Sequence, residues 1–117
     1  MKREITIEEL REFYRDTLDK CGLFLLRSKD EDVACNIFEE FDIGVVTFLH
    51  ERSLERLKNA DLISEEVLLK SLELRKKTMA LQNTSLWNIS AVKNSKEWLE
   101  ILELSDSIKA DMRLKKP

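Results

Sequence analysis

Apolar residues near the start of the chain recur at steps of three and four, the spacing that places side chains on one face of an α-helix. The series is Leu10, Phe13, Tyr14, Leu18 and Cys21. Thr6 and Glu9, just before it, form a capping box, in which the two side chains bond free backbone N–H groups. Gly22 suits the left-handed turn that ends a helix. The pattern predicts a first helix with this face turned inward, followed by a packed apolar segment, residues 23–26.

The next apolar series follows a second capping signature, Ser28 with Glu31. The residues that should point inward are Val33, Ala34, Ile37, Phe38 and Phe41. Asp42 and Gly44 interrupt this helix. Residues 45–48 are β-branched or aromatic and fit a short strand, but Leu49, Leu54 and Leu57 continue the run at helical intervals. We therefore predict a third helix from about Val45 to Lys58, with a strand over 45–48 as the alternative.

Two longer amphipathic patterns occupy the second half of the chain. Ser64 and two acidic residues predict the start of a fourth helix, which runs to about Leu81 with Val67, Leu68, Leu72, Leu74 and Met79 inward. Residues 83–94 predict a packed connection with one short helical turn. Ser95 caps a last helix whose apolar stripe is Trp98, Ile101, Leu102, Ser105, Ile108 and Met112. The whole pattern predicts an all-α chain, a single domain (residues 1–117) folded as one compact bundle of about five helices.

Composition agrees with this fold class. The 117 residues include only two glycines and one proline, too few to punctuate a sheet-rich fold, and the 43% hydrophobic content argues against a disordered chain. No apolar stretch approaches the roughly 20 residues of a membrane span, and MKREITIEEL lacks the apolar centre of a secretory signal. A cytoplasmic location is therefore expected. Cys21 and Cys35 lie at apolar helical positions, which predicts two reduced thiols in the core.

The residue types needed for catalysis are scarce. His50 is the only histidine, and the sequence after it, H-E-R-S-L, lacks the second histidine of a zinc-binding helix. A cysteine or serine nucleophile needs a nearby base, and no pattern brings His50 to either cysteine. The chain also has no glycine-rich phosphate loop and no calcium-binding loop. We therefore expect no enzyme activity, no catalytic residue, no metal and no cofactor.

Charge is distributed unevenly along the chain. Residues 28–66 hold eleven carboxylates and four basic side chains, a net charge of −7, whereas the rest of the chain carries +4. The acidic residues surround the aromatic side chains of Phe38, Phe41 and Phe48. An acidic rim around an apolar centre suits a binding surface for a cationic protein, and its field would repel nucleic-acid phosphates. The alternative is a solvated helical face without a partner.

Two segments resemble a known family. Residues 60–77, ADLISEEVLLKSLELRKK, and 92–112, VKNSKEWLEILELSDSIKADM, are similar to the C-terminal half of small helical immunity proteins from bacterial contact-dependent growth inhibition and related polymorphic toxin systems. The resemblance implies a cytoplasmic protein that binds and neutralises one cognate toxin domain, often a nuclease. It carries over no functional residue, because these segments contain no diagnostic site motif.

Charge and resemblance together predict a partner-binding surface in the acidic part of the chain. Its residues are Asp30, Glu31, Asp32, Phe38, Glu39, Glu40, Asp42, Phe48 and Glu51. Their neighbours Ile37, Phe41 and Leu49 should face the core, with Phe38 and Phe48 shared between core and interface. The expected partner is a toxin domain, a basic nuclease, with no direct contact to nucleic acid or membrane, and the chain itself is a monomer or a weak homo-oligomer.

A different function class remains open on the same sequence. The long apolar stripe of the last helix, ending at Met112 and Leu114, is more than a monomer needs to bury and fits a helical regulatory or scaffold subunit of a larger assembly.

Overall fold

The computed structural model of the protein describes residues 5–114, with side chains through Met112. Between these limits every regular element is helical and no strand occurs, which confirms the all-α prediction. The elements are α1 (Ile7–Asp19), a 3₁₀ segment (Leu23–Arg27), α2 (Asp30–Val33), a π-helical segment (Ala34–Phe41), α3 (Asp42–Thr47), α4 (Glu51–Asn59), α5 (Glu65–Leu81), α6 (Ile89–Asn94) and α7 (Lys96–Leu114). They pack around one hydrophobic core.

The first helix begins as its sequence predicts. The backbone N–H of Glu9 donates to the Thr6 hydroxyl at 3.1 Å, and the N–H of Thr6 donates to the Glu9 carboxylate at 2.9 Å. The inward face is only partly as expected, because the Phe13 side chain is 41% exposed. The segment after the helix also departs from the prediction: Leu25 is buried, whereas its apolar neighbours in the 3₁₀ segment are exposed.

The end of α1 is fixed by side chains of α7. The Ser105 hydroxyl contacts the carbonyl oxygens of Leu18 and Cys21 at 3.2 and 2.9 Å, and Lys109 Nζ donates to the Cys21 carbonyl at 2.8 Å. These bonds tie the last turn of α1 to α7 and provide partners for the Cys21 carbonyl, which lies just beyond the end of the helix. Gly22 is extended (φ 167°), so the predicted left-handed turn is wrong. A Cβ at this position would overlap the Asp106 carboxylate, which explains the glycine in another way.

Residues 30–47 form one uninterrupted helical stretch, contrary to the predicted break at Asp42 and Gly44. Its start also differs from the prediction, because Lys29 is the N-terminal flanking residue and the Ser28 hydroxyl instead donates to the Phe24 carbonyl. Residues 45–47 are helical, which excludes the alternative strand.

The spacing of buried residues explains the π-helical segment. Val33, Ile37, Phe41 and Val45 are all fully buried, and each follows the previous one by four residues. In a regular α-helix a step of four exceeds one turn by about 40°, so this stripe would wind away from the core. A π-helix closes its hydrogen bonds over five residues and therefore has a wider turn. The wider turn rotates the stripe back toward the core.

The predicted third helix is divided in two. The chain leaves helical geometry after Thr47, and α4 begins only at Glu51. His50 is extended (ψ 149°), and its Nδ1 accepts a hydrogen bond from the backbone N–H of Arg52 at 3.2 Å. The imidazole thus serves as the helix cap, a role usually taken by Ser, Thr, Asn or Asp.

The second half of the chain follows the prediction closely. The Ser64 and Ser95 hydroxyls accept from the backbone N–H groups of Val67 and Trp98, so both caps lie where predicted. The short helical turn within 83–94 is α6. On α7 the stripe from Trp98 to Ile108 is buried within the chain, and Met112 is partly buried. The described part of this stripe therefore gives no reason for a second copy; the side chain of Leu114 lies outside the described residues.

The buried hydroxyl groups of the described core are paired. The hydroxyls of Tyr14 and Ser71 lie 2.7 Å apart and join α1 to α5, and burial raises the pKa of Tyr14 to about 12. Both cysteines are free thiols. Cys21 is buried as predicted, and burial raises its pKa to about 12. Cys35 is exposed on the π-helical segment, so its predicted place in the core is wrong.

Candidate functional site

The structure places the nine predicted site residues along one helical stretch, at the residue that follows it (Phe48) and at the start of the next helix. Six of the carboxylates are exposed: Asp30, Glu31, Asp32, Glu39, Glu40 and Glu51. Asp42, Phe38 and Phe48 are partly buried. Ile37, Phe41 and Leu49 are fully buried, which confirms that the apolar neighbours face the core.

Three of these carboxylates are bound to other parts of the chain. Asp30 forms an ion pair with Lys93 of α6 at 2.8 Å, and Glu40 forms one with Lys20 at the end of α1 at 3.4 Å. Asp42 accepts a hydrogen bond from the side-chain amide of Gln82, which follows α5. The three residues thus contact three different parts of the fold. Their carboxylates therefore do not form one continuous surface of unpaired negative charge.

The other four carboxylates of the predicted site are exposed and form no internal ion pair among the described residues. Within residues 5–114 no ion pair involves Glu31, Asp32, Glu39 or Glu51. All four are exposed, so water solvates them fully in the free protein. A cationic partner can replace that water without first breaking an internal ion pair.

The two phenylalanines of the predicted site lie in different environments. Phe38 packs edge-on against Trp87 and Trp98, with ring centroids 5.1 and 6.2 Å away, and so belongs to an aromatic cluster that holds the π-helical segment against the C-terminal part of the chain. Phe48 instead stacks on Phe13 of α1, with centroids 4.9 Å apart and an interplanar angle of 20°. Phe48 also lines an open surface feature.

That feature is a groove between α1, the π-helical segment and α3, which we call the α1–α3 groove. It has a volume of about 320 Å³. Its apolar side chains are Phe13, Ile43 and Phe48, its base is Thr17 and Gly44, and its charged residues are Asp16, Lys20, Glu39 and Glu40. It therefore combines an apolar interior with three carboxylates and a single ammonium group.

The base of the groove depends on a close approach of two helices. Gly44 is buried, and a Cβ there would overlap the side chain of Thr17. Thr17 is itself fixed, because its hydroxyl donates to the Phe13 carbonyl at 2.8 Å. Because α3 approaches α1 so closely at Gly44, the surface is low at this point. The larger side chains on either side form the walls of the groove.

Sequence reasoning missed part of this site. The helical pattern places Phe13 in the core and gives Asp16 and Ile43 no role at the predicted surface. In the structure all three line the groove. Ile43 is 63% exposed, and Val46, one turn further along the same helix, is 47% exposed. The available signal was the series Phe13, Asp16, Thr17 and Lys20, which shares one face of α1 at helical spacing.

The arrangement offers contact surface and negative charge. Among residues 5–114 no group of three or more His, Cys, Asp or Glu side chains is placed to hold a metal ion. His50 is exposed and serves as a helix cap. Over the same range no helix has both the length and the apolar character that crossing a bilayer requires.

Comparisons with protein-family models, with curated proteins and with solved structures found no match to this chain.

Proposed function

We propose that this protein is an immunity protein that binds and neutralises a cognate toxin domain, a basic nuclease, through its acidic surface. The observation that carries the proposal is the α1–α3 groove, where exposed apolar side chains lie beside carboxylates in the acidic part of the chain. An apolar centre with a charged rim is the general composition of a protein-binding surface. The resemblance of residues 60–77 and 92–112 to immunity proteins supports the same function.

The proposed mechanism is occlusion. A nuclease domain binds its nucleic acid through a basic cleft, and an acidic protein seated there would exclude phosphates from it. Long-range attraction between the two surfaces accelerates association, and the apolar contact then slows dissociation. The proposed location for this activity is the cytoplasm, where a nuclease toxin would act.

Co-purification from the native host tests the proposal. Tagged protein is recovered at low salt, its partner is identified by mass spectrometry, and the reading frame beside its gene is examined for a large toxin. The expected result is a one-to-one complex with the C-terminal domain of that toxin and loss of the toxin's activity in the complex. Absence of a complex between the two purified proteins at low salt would refute the proposal.

A matched pair of charge-reversal variants locates the surface. We expect Glu39→Lys/Glu40→Lys to slow association and weaken binding by roughly 1–3 kcal/mol, because both carboxylates belong to the groove. Glu97→Lys/Glu103→Lys changes the net charge equally on exposed positions of α7 and should weaken binding much less. Equal effects from the two variants would mean that only net charge matters and that the interface lies elsewhere.

A helical subunit of a larger assembly is the second candidate function. The observation in its favour is the 3₁₀ segment, where Leu23, Phe24 and Leu26 are all exposed and form a second apolar area. Light scattering tests the homo-oligomeric form of this function. A homo-oligomer would show a mass in solution above the 13.8 kDa of one chain. Copies of the protein in a stable multi-subunit complex without any toxin would favour this candidate over the first.

A further inference from the structure

We propose that the α1–α3 groove receives one large apolar side chain from a cationic amphipathic helix of the partner protein, with basic residues one turn away from that side chain. The identity of that partner rests on the function proposed above. The inference adds the kind of structural element that the partner inserts, a helix. It also places the centre of the binding surface on residues of α1 and α3 that the acidic sequence pattern did not include.

The size and walls of the groove fit an apolar anchor. A volume of about 320 Å³ is large enough to accommodate one bulky side chain. Phe13 and Phe48 form one stacked aromatic wall, and Ile43 forms part of the lining. Val46 follows Ile43 by three positions on α3, which extends the apolar surface beyond the groove.

Two well-exposed apolar side chains lie close together on α3, beside the groove. Ile43 and Val46 are both well exposed although each lies beside a buried position of the helix, Gly44 or Val45. Single exposed apolar residues are ordinary on protein surfaces, but an apolar depression with further exposed apolar residues beside it is typical of a binding site. Burial of such side chains is the main favourable contribution to protein association.

Charge complementarity determines the chemistry of the occupant. The groove holds Asp16, Glu39 and Glu40 against Lys20, a net charge of −2. Lys20 is already paired with Glu40, so the two remaining carboxylates face an incoming side chain without competition from that ammonium group. Lys or Arg beside the anchor would pair with Asp16 or Glu39, whereas an acidic peptide or a nucleic acid would be repelled.

The fold favours a helix as the binding element. Peptides that bind as strands pair with an open sheet edge, and residues 5–114 contain no strand. A groove bounded by helices instead accepts an amphipathic helix, whose anchors recur at positions i, i+3, i+4 and i+7. On such a helix the basic residues lie on the flanks of the apolar stripe, opposite the carboxylates of the groove.

A synthetic peptide tests the inference before any partner is known. The probe is an amidated peptide of about 18 residues, long enough to form a helix on binding, with Leu at helical spacing, one Trp in the apolar stripe and Lys elsewhere. It is titrated into the full-length isotopically labelled protein and followed by two-dimensional NMR. We expect saturable shifts centred on Phe13, Ile43, Val46 and Phe48.

Two variants of similar design provide the decisive comparison. Ile43→Lys places a charge in the groove and should raise the dissociation constant for the peptide at least about tenfold. Leu69→Lys makes the same change on α5 at a side chain of comparable exposure, 57%, outside the groove, and should leave the constant within about twofold. A peptide with Glu in place of Lys should not bind.

Each outcome has a defined meaning. Shifts centred elsewhere, equal binding by Ile43→Lys and the parent, or binding of the Glu peptide would overturn the inference. The purified host partner separates this failure from failure of the proposed function: if Ile43→Lys binds the toxin domain as tightly as the parent while Glu39→Lys/Glu40→Lys does not, the immunity function stands and the groove is not its anchor site. If the peptide binds the groove but no toxin domain binds the protein, the site stands and the immunity function falls.

Discussion

The stretch from α2 to α3 and the helices α5 and α7 use apolar residues in different ways. On α7 the apolar stripe from Trp98 to Ile108 is covered by the rest of the chain, and nearby charges form internal pairs, such as Lys70 with Asp111 at 2.6 Å. On α3 the side chains of Ile43 and Val46 remain exposed, and the groove beside them holds Asp16 and Glu39, which form no ion pair within residues 5–114. The apolar stripe of α7 is therefore covered within the chain. The helix α5 exposes the large apolar side chain of Leu69, whereas the acidic stretch places its exposed apolar side chains beside a groove.

The largest expected effect is a difference in the free energy of unfolding between two alanine variants. One variant truncates a buried apolar residue of α7, and the other truncates an exposed apolar residue of α3. Trp98 is fully buried, and its indole N–H donates to the Leu86 carbonyl at 2.7 Å, so Trp98→Ala should lower the free energy of unfolding by about 3–5 kcal/mol. Ile43→Ala should change it by no more than about 0.5 kcal/mol. Urea unfolding monitored by circular dichroism measures both. A large loss of stability in Ile43→Ala would mean that the Ile43 side chain is part of the fold's packing and does not belong to a free surface.

Alkaline pH tests the buried contact between Tyr14 of α1 and Ser71 of α5. Burial raises the pKa of Tyr14 from 10.0 to about 12, so in the folded state its phenol keeps the proton while the unfolded chain releases it near pH 10. The raised pKa of Tyr14 contributes about 2–3 kcal/mol to the free energy of unfolding. This contribution is complete below pH 10 and is lost as pH rises toward 12. Cys21 adds to the loss from about pH 9, because burial also raises its pKa to about 12.

Tyr14 is the only tyrosine, so the ultraviolet absorbance of tyrosinate reports it alone. We expect native protein to show no more than about a tenth of the full tyrosinate absorbance at pH 11, and urea unfolding between pH 8 and 11 to show falling stability. The slope between pH 10 and 11 should be smaller in Tyr14→Phe, which cannot ionise although it leaves Ser71 without its partner. Tyrosinate formation near pH 10 in the folded protein would contradict the buried hydrogen bond.

The smallest expected effect concerns the base of the groove. Gly44→Ala should destabilise the fold by about 1–3 kcal/mol, because the new methyl group overlaps Thr17 and pushes α3 from α1. Thr17→Ala should reduce that penalty in the double variant, since the overlap is with the threonine side chain. Denaturant unfolding of the four proteins gives the coupling energy. Additive effects would show that the two helices do not meet in this way.

Helix ends in the second half of the chain were predictable because their signals are local. The Ser64 and Ser95 hydroxyls bond backbone N–H groups three residues along the chain, so the sequence around each serine contains the whole interaction. The same logic failed at Ser28, where the hydroxyl bonds a preceding carbonyl instead, and at His50, whose capping role no standard signature includes.

The sequence by itself determined the helical fold class, the first, fourth and last helices, and the exposure of most of the acidic side chains. Helical periodicity identifies the face of each helix that is buried, and charged side chains favour the face that stays in water. Only the tertiary structure decided which apolar residues stay exposed. Phe13 and Ile43 are thirty positions apart and line one groove because Gly44 lets α3 approach Thr17. The π-helical segment likewise keeps a four-residue stripe directed at the core. Both outcomes depend on contacts between distant elements, which a local pattern does not contain.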